Sequence, residues 1–104
     1  MSARAFLMTG VVIALGTGAA SAACREELVA TAQNVKRTQA DVESLAGKPP
    51  AAQCAAYRQH IAALTQVRTV FARCDTGAAK AKNAGQVTTT IATFTRQMRA
   101  ACKS

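Results

Sequence analysis

The stretch AAQCAAYRQHIAALTQVRTVFARC, residues 51–74, decides the fold of this chain. Its larger apolar residues recur at intervals of three and four, which is the period of a helix and not of a strand. They spread over roughly 220° of the helix circumference, which is wider than contact with one neighbour requires. We therefore predict that residues 51–74 form the central helix of three. The residues that carry this pattern are Cys54, Tyr57, Ile61, Leu64, Val67, Phe71 and Cys74.

A first helix is predicted over residues 24–46. Leu28, Val35 and Val42 fall on one narrow stripe when the chain is turned by 100° per residue, and charged residues occupy the other side. Gly47 suits the position just after a helix, and the two prolines at 49–50 cannot continue one. The second proline suits the first turn of the central helix.

A third helix is predicted over residues 86–102. The segment is rich in threonine and β-branched residues, but its larger apolar side chains step by four and three and do not alternate. The preceding residues 77–85 (GAAKAKNAG) contain two glycines and an asparagine, which interrupt helices. We predict a loop there, with at most one helical turn.

The four cysteines define the topology. Cys54 and Cys74 are 20 residues apart on one helix, about 30 Å along its axis, and a disulfide requires Cα atoms within about 7 Å. In an up-down-up arrangement, Cys24 and Cys54 lie at opposite ends of antiparallel helices. The remaining pairing is Cys24–Cys74 and Cys54–Cys102. The predicted fold is all-α, a small antiparallel three-helix bundle held by these two disulfides.

The N-terminal segment 1–22 has the pattern of a secretory signal peptide. A positive start at Arg4 precedes a short apolar run, and Ala20-Ser21-Ala22 fits the small-residue cleavage rule. Cleavage after Ala22 or Ala23 leaves a single domain over residues 23–104. We expect a periplasmic or extracellular location, where cysteines form disulfides.

Two alternatives to this interpretation concern the same segment. The apolar run is short for a retained membrane anchor. Lipid attachment at Cys24 would place Ser21 where a bulky aliphatic residue is expected, and it would leave an odd number of cysteines. We therefore expect no transmembrane segment in the mature chain.

The net positive charge is concentrated in the last two-thirds of the predicted mature chain. Residues 23–48 carry four basic and four acidic side chains, whereas residues 49–104 carry eight basic side chains and one acid, Asp75. Such a surface attracts anions. We predict a face that binds an anionic partner, made of Arg58, Arg73, Lys80, Lys82, Arg96, Arg99 and Lys103. The alternative is that these charges only keep the protein soluble.

The sequence offers little to a catalytic or metal centre. The cysteines lack the close pairs typical of zinc sites, and no haem or thioredoxin-type motif is present. His60 is the single histidine and lies near the apolar side of its helix, which favours a structural role over acid–base chemistry. We expect no enzyme activity, no cofactor and no metal.

Arg68 falls inside the apolar arc of the central helix. It is interpreted as an arginine whose stem covers core residues while its head reaches water. The alternative is a buried anchor for a carboxylate, either Asp41 or that of a ligand.

These features predict a small exported, non-catalytic interaction module. Its partner would be an acidic protein or an anionic envelope component, and export argues against nucleic acid. The alternative function is a small-ligand carrier or a periplasmic stress chaperone that uses apolar surface between helices.

Overall fold

The structure is a computed structural model that describes residues 22–103. Over this range the chain forms three helices and no strand: α1 (Ala22–Ser44), α2 (Pro50–Cys74) and α3 (Gly77–Lys103). α2 packs against both other helices, as the width of its apolar arc predicts. Apart from Ala22, the first residue of α1, the predicted signal peptide lies outside the described residues.

Both predicted disulfides are present. Cys24 is bonded to Cys74 with their Cα atoms 5.9 Å apart, and Cys54 is bonded to Cys102 with their Cα atoms 4.9 Å apart. Each bond joins the beginning of one helix to the last turn of the helix that follows it. Neighbouring helices therefore run antiparallel.

The turn between α1 and α2 follows the predicted stop signals. α1 ends at Ser44, two residues earlier than predicted, and Gly47 adopts φ of 83°, the left-handed conformation that glycine accepts without strain. Pro50 lies in the first turn of α2. A proline is tolerated there because its missing N–H would have no partner inside the helix.

The prediction of a loop over residues 77–85 is wrong, because α3 begins at Gly77. Gly77 has φ of 58° and makes the sharp turn out of α2. The alanines and lysines that follow are strong helix formers. Asn83 is buried and donates a hydrogen bond to Asp75 Oδ2 at 2.9 Å. This contact offsets the weak helix preference of asparagine, and the helix begins nine residues earlier than predicted.

The core runs along α2. Its largest fully buried side chains are Phe71, Leu64, His60 and Val67 of α2 together with Val87 of α3. α1 contributes Leu28 and Val35. Small residues of α2, such as Ala63, are also buried and allow the helix backbones to approach closely.

Candidate anion-binding surface

The charge of the described residues is divided between helices. α2 and α3 together carry eight basic residues and no aspartate or glutamate, whereas α1 carries three basic and four acidic residues. Asp75, in the short connection between α2 and α3, accepts the hydrogen bond from Asn83. Positive charge is therefore concentrated on two of the three helices.

The seven predicted basic residues lie in two groups at opposite ends of the bundle. Arg58 follows Cys54 by about one turn, and the disulfide places it near the end of α3 that carries Arg96, Arg99 and Lys103. The other group, Arg73, Lys80 and Lys82, lies near the Cys24–Cys74 disulfide. The two groups are about 20 Å or more apart, judged by the rise along α3, so they do not form one compact patch.

Arg73 differs from the other predicted residues because it is paired. Its Nη2 lies 2.5 Å from Glu27 Oε1 of α1, and both side chains are about half exposed. This pair is the one salt bridge within residues 22–103. Its guanidinium is already balanced by a carboxylate, which leaves it less available to a partner.

Arg68 lies between the two groups and points toward α3. It is half-buried, and its Nη1 donates a hydrogen bond to Thr88 Oγ1 at 3.4 Å. Within the described part of the chain, no salt bridge joins it to Asp41. The interpretation of a stem that covers core residues and a head that reaches the surface fits this geometry.

The pair formed by α2 and α3 has one side that faces away from the buried core. The antiparallel register fixed by Cys54–Cys102 places Arg58 beside Arg99, and Arg68 beside Thr88. Helical phase turns these side chains, with Thr65 and Thr95, toward this side, whereas Cys74 and Arg73 contact α1 on the other. We call this the α2–α3 groove, defined by Arg58, Thr65, Arg68, Thr88, Thr95 and Arg99.

The sequence alone did not group Arg68 with Arg58 and Arg99. Its phase on α2 places it in the apolar arc. Only the register against α3 shows that its head reaches Thr88, on the same side of the helix pair as Arg58 and Arg99 but about 15 Å further along. The signal that could have found it is spacing. Arg68 follows Cys54 by the same number of positions as Thr88 precedes Cys102, so the two side chains lie at one level of an antiparallel pair.

His60 occupies the centre of the bundle and contacts both neighbouring helices. Its side chain is 1% exposed, its Nδ1 lies 2.7 Å from Thr38 Oγ1, and its ring meets Phe94 edge-on at a centroid distance of 4.6 Å. Burial lowers the pKa of the imidazole to about 4, since the charged form loses its hydration. The ring is therefore neutral at pH 7. It is enclosed by the core and packs between the helices.

Apolar surface is sparse on the described residues. Val29 of α1, 39% exposed, is the one exposed large hydrophobic side chain among them. An open cleft of about 330 Å³ lies between the start of α2 and the end of α3. It is lined by Pro50, Gln53, Tyr57, Gln97, Ala100 and Ala101.

All four cysteines are bonded, so none offers a thiolate to a metal. Among residues 22–103, no three of the remaining potential ligand side chains converge on a common point. No helix in that range is both long and apolar enough to cross a bilayer.

Comparison of the chain with protein-family models, with curated proteins and with solved structures finds no match.

Proposed function

We propose that this protein is a small exported, non-catalytic interaction module that binds an anionic partner through α2 and α3. The observation that carries the proposal is the charge of these two helices, which hold eight basic residues and no acidic one. Only Arg73 among them is paired with a carboxylate within the described residues. A positive potential that the fold does not neutralise attracts anions and accelerates their association.

Export rests on the N-terminal pattern and on the cysteines. Residues 1–22 combine a basic start, an apolar run and a small-residue cleavage motif. Two disulfides in a chain of this size suit an oxidising compartment. Intact-mass measurement of the protein recovered from the exported fraction tests this point. The expected mass is that of residues 23–104 or 24–104 with four fewer hydrogens.

Binding is tested with three immobilised polyanions: poly-glutamate, heparin and vesicles that contain phosphatidylglycerol. We expect retention of the oxidised protein on at least one of them at low salt, and weaker retention as salt approaches physiological concentration, where the Debye length is about 8 Å. Failure to bind all three at low salt would contradict the proposal.

A matched pair of variants assigns the binding to α2 and α3. R58Q/R96Q/R99Q removes three charges from the end of the bundle near Cys54–Cys102, and R25Q/K36Q/R37Q removes three from α1. We expect the first to shift elution to lower salt and the second to have little effect. Equal shifts would assign the binding to net charge alone.

The alternative, a carrier or chaperone that uses apolar surface, has the 330 Å³ cleft and Val29 as its available features. Salt-independent binding of a hydrophobic dye by the oxidised protein would favour it.

A further inference from the structure

The three cations of the α2–α3 groove are all arginines, whereas the three lysines of α3 and Arg96 lie outside the groove. Arginine presents a planar fork of N–H donors that matches a carboxylate or phosphate in two parallel hydrogen bonds, which a lysine ammonium cannot do. Arg58 and Arg99 are exposed, and Arg68 is half-buried with its head on the hydroxyl of Thr88. The groove therefore offers directed anion recognition beyond a diffuse positive charge.

The spacing of these arginines suits a linear ligand. Arg58 and Arg99 lie at one level of the bundle, and Arg68 lies ten residues further along α2, about 15 Å away. An extended polypeptide advances about 3.3 Å per residue, so roughly five residues span this distance. Side chains two or four residues apart on such a strand point the same way.

Threonines line the groove between the arginines. Thr88 and Thr95 lie on α3, and Thr65 lies across from them on α2. The Thr65 hydroxyl donates to Ile61 O at 2.8 Å and keeps only its acceptor capacity for a ligand, whereas the Thr88 hydroxyl accepts from Arg68 and still has a proton to donate. Ala62 on α2 and Ala92 on α3 lie next to these threonines, and their short side chains do not obstruct the groove.

Other polyanions suit this surface less well. A bilayer is flat and favours surfaces that also insert apolar side chains, but the exposed large hydrophobic residue of the described range, Val29, lies on α1. Single-stranded nucleic acid is bound by exposed aromatic side chains that stack on its bases, whereas Tyr57 and Phe94 pack against each other with their centroids 6.1 Å apart.

We propose that the α2–α3 groove binds an extended acidic polypeptide segment, with carboxylates seated on Arg58, Arg68 and Arg99. This inference rests on the proposed function, because it names the partner of the basic surface. The inference goes beyond the proposed function because it locates the binding on one side of α2 and α3 and because it requires arginine.

The test uses a fluorescent twelve-residue peptide in which glutamate alternates with serine, so that its carboxylates share one side when extended. Fluorescence anisotropy follows its binding to the oxidised protein at low salt. We expect R58Q/R68Q/R99Q to weaken binding by about tenfold or more, as the loss of close charge pairs does elsewhere. The matched control K82Q/R96Q/K103Q removes three charges outside the groove and is expected to weaken binding about twofold or less.

A third variant, R58K/R68K/R99K, keeps the charge and removes the fork, and we expect it to lose most of the affinity that the glutamine variant loses. Circular dichroism checks that all variants remain folded. If the groove variant and its control weaken binding equally, the groove is not the binding site, while the proposed function remains intact. Tighter binding to heparin or to phosphatidylglycerol vesicles, dependent on the control residues, would lead to the same conclusion. Absence of binding to every polyanion would overturn both.

Discussion

Thr38 and His60 form a buried hydrogen bond, 2.7 Å long, at a position that the disulfide between Cys24 and Cys74 defines. Thr38 follows Cys24 by the same number of positions as His60 precedes Cys74. Because neighbouring helices are antiparallel, equal steps from the disulfide reach the same level. This number of residues is close to four full helical turns. Thr38 therefore points toward α2, as Cys24 does, and His60 points toward α1, as Cys74 does.

Replacing Thr38 with valine removes the partner of His60 Nδ1 and preserves the shape of the side chain. A buried polar atom without a partner costs about 1–3 kcal/mol, and we expect the free energy of unfolding to fall by about that amount in urea denaturation. Thr69→Val is the control, since Thr69 is exposed and its hydroxyl bonds only to Thr65 O of its own helix. Equal effects of the two changes would contradict a specific role for the buried pair.

His60 makes the stability of the bundle depend on pH. Its pKa is about 4 in the folded protein and about 6.5 in the unfolded chain. Below pH 6.5 the unfolded chain takes up a proton that the folded protein excludes, so stability is lost as pH falls from 6.5 toward 4. Between pH 7 and pH 5 we expect a loss of about 2 kcal/mol.

The variant His60→Gln separates this effect from the titration of carboxylates. Glutamine keeps a polar side chain opposite Thr38 and has no charged form. Urea midpoints measured at pH 7 and pH 5 should differ less in this variant than in the parent protein. A pH dependence that persists unchanged would assign it to other groups.

Much of this fold could be predicted from the sequence because its determinants are periodic. The apolar steps along residues 51–74 predicted a central helix, and the separation of Cys54 from Cys74 led to the disulfide pairing that the structure confirms. The Thr38–His60 contact could also have been predicted, because the Cys24–Cys74 disulfide determines the register of α1 against α2. The sequence indicated a structural role for His60 but did not point to Thr38, since a threonine on an apolar stripe gives no signal by itself.

The position at which α3 begins could not be predicted from apolar periodicity. Residues 77–85 mix strong helix formers with glycine and asparagine, so local preferences nearly balance. The contact from Asn83 to Asp75 joins side chains on either side of the turn, and it becomes visible only once the chain is folded. The groove shares this limitation, because it depends on the register of α2 against α3.

The variant Asp75→Ala tests what holds the first turns of α3. Without the carboxylate, the buried amide of Asn83 loses its partner, and we expect residues 78–84 to open more readily. Native-state hydrogen exchange should show faster exchange there by about tenfold, as a lost hydrogen bond worth about 1.4 kcal/mol implies. Exchange around Leu64 should change less, because that side chain is fully buried in the core. Uniform acceleration throughout the bundle would indicate global destabilisation.

The salt bridge between Arg73 and Glu27 is expected to contribute little to stability. Its side chains are 53% and 51% exposed, and exposed ion pairs contribute about 0–1 kcal/mol. The double variant E27Q/R73Q removes both charges, and its urea midpoint should stay close to that of the parent at physiological salt. A loss of several kcal/mol would show that this ion pair, and not the nearby Cys24–Cys74 disulfide, holds the beginning of α1 against α2.

The disulfides are expected to contribute far more than any single contact. Each closes a loop of about 50 residues, for which the chain-entropy model gives about 4 kcal/mol in isolation. The loops overlap along α2, so the two contributions do not add. In a core this small, we expect reduction to unfold the protein or to leave it molten, with no cooperative thermal transition in circular dichroism. The variants C24A/C74A and C54A/C102A, each with one bond intact, should retain a transition at reduced temperature. A transition that reductant does not shift would show that helix packing alone suffices.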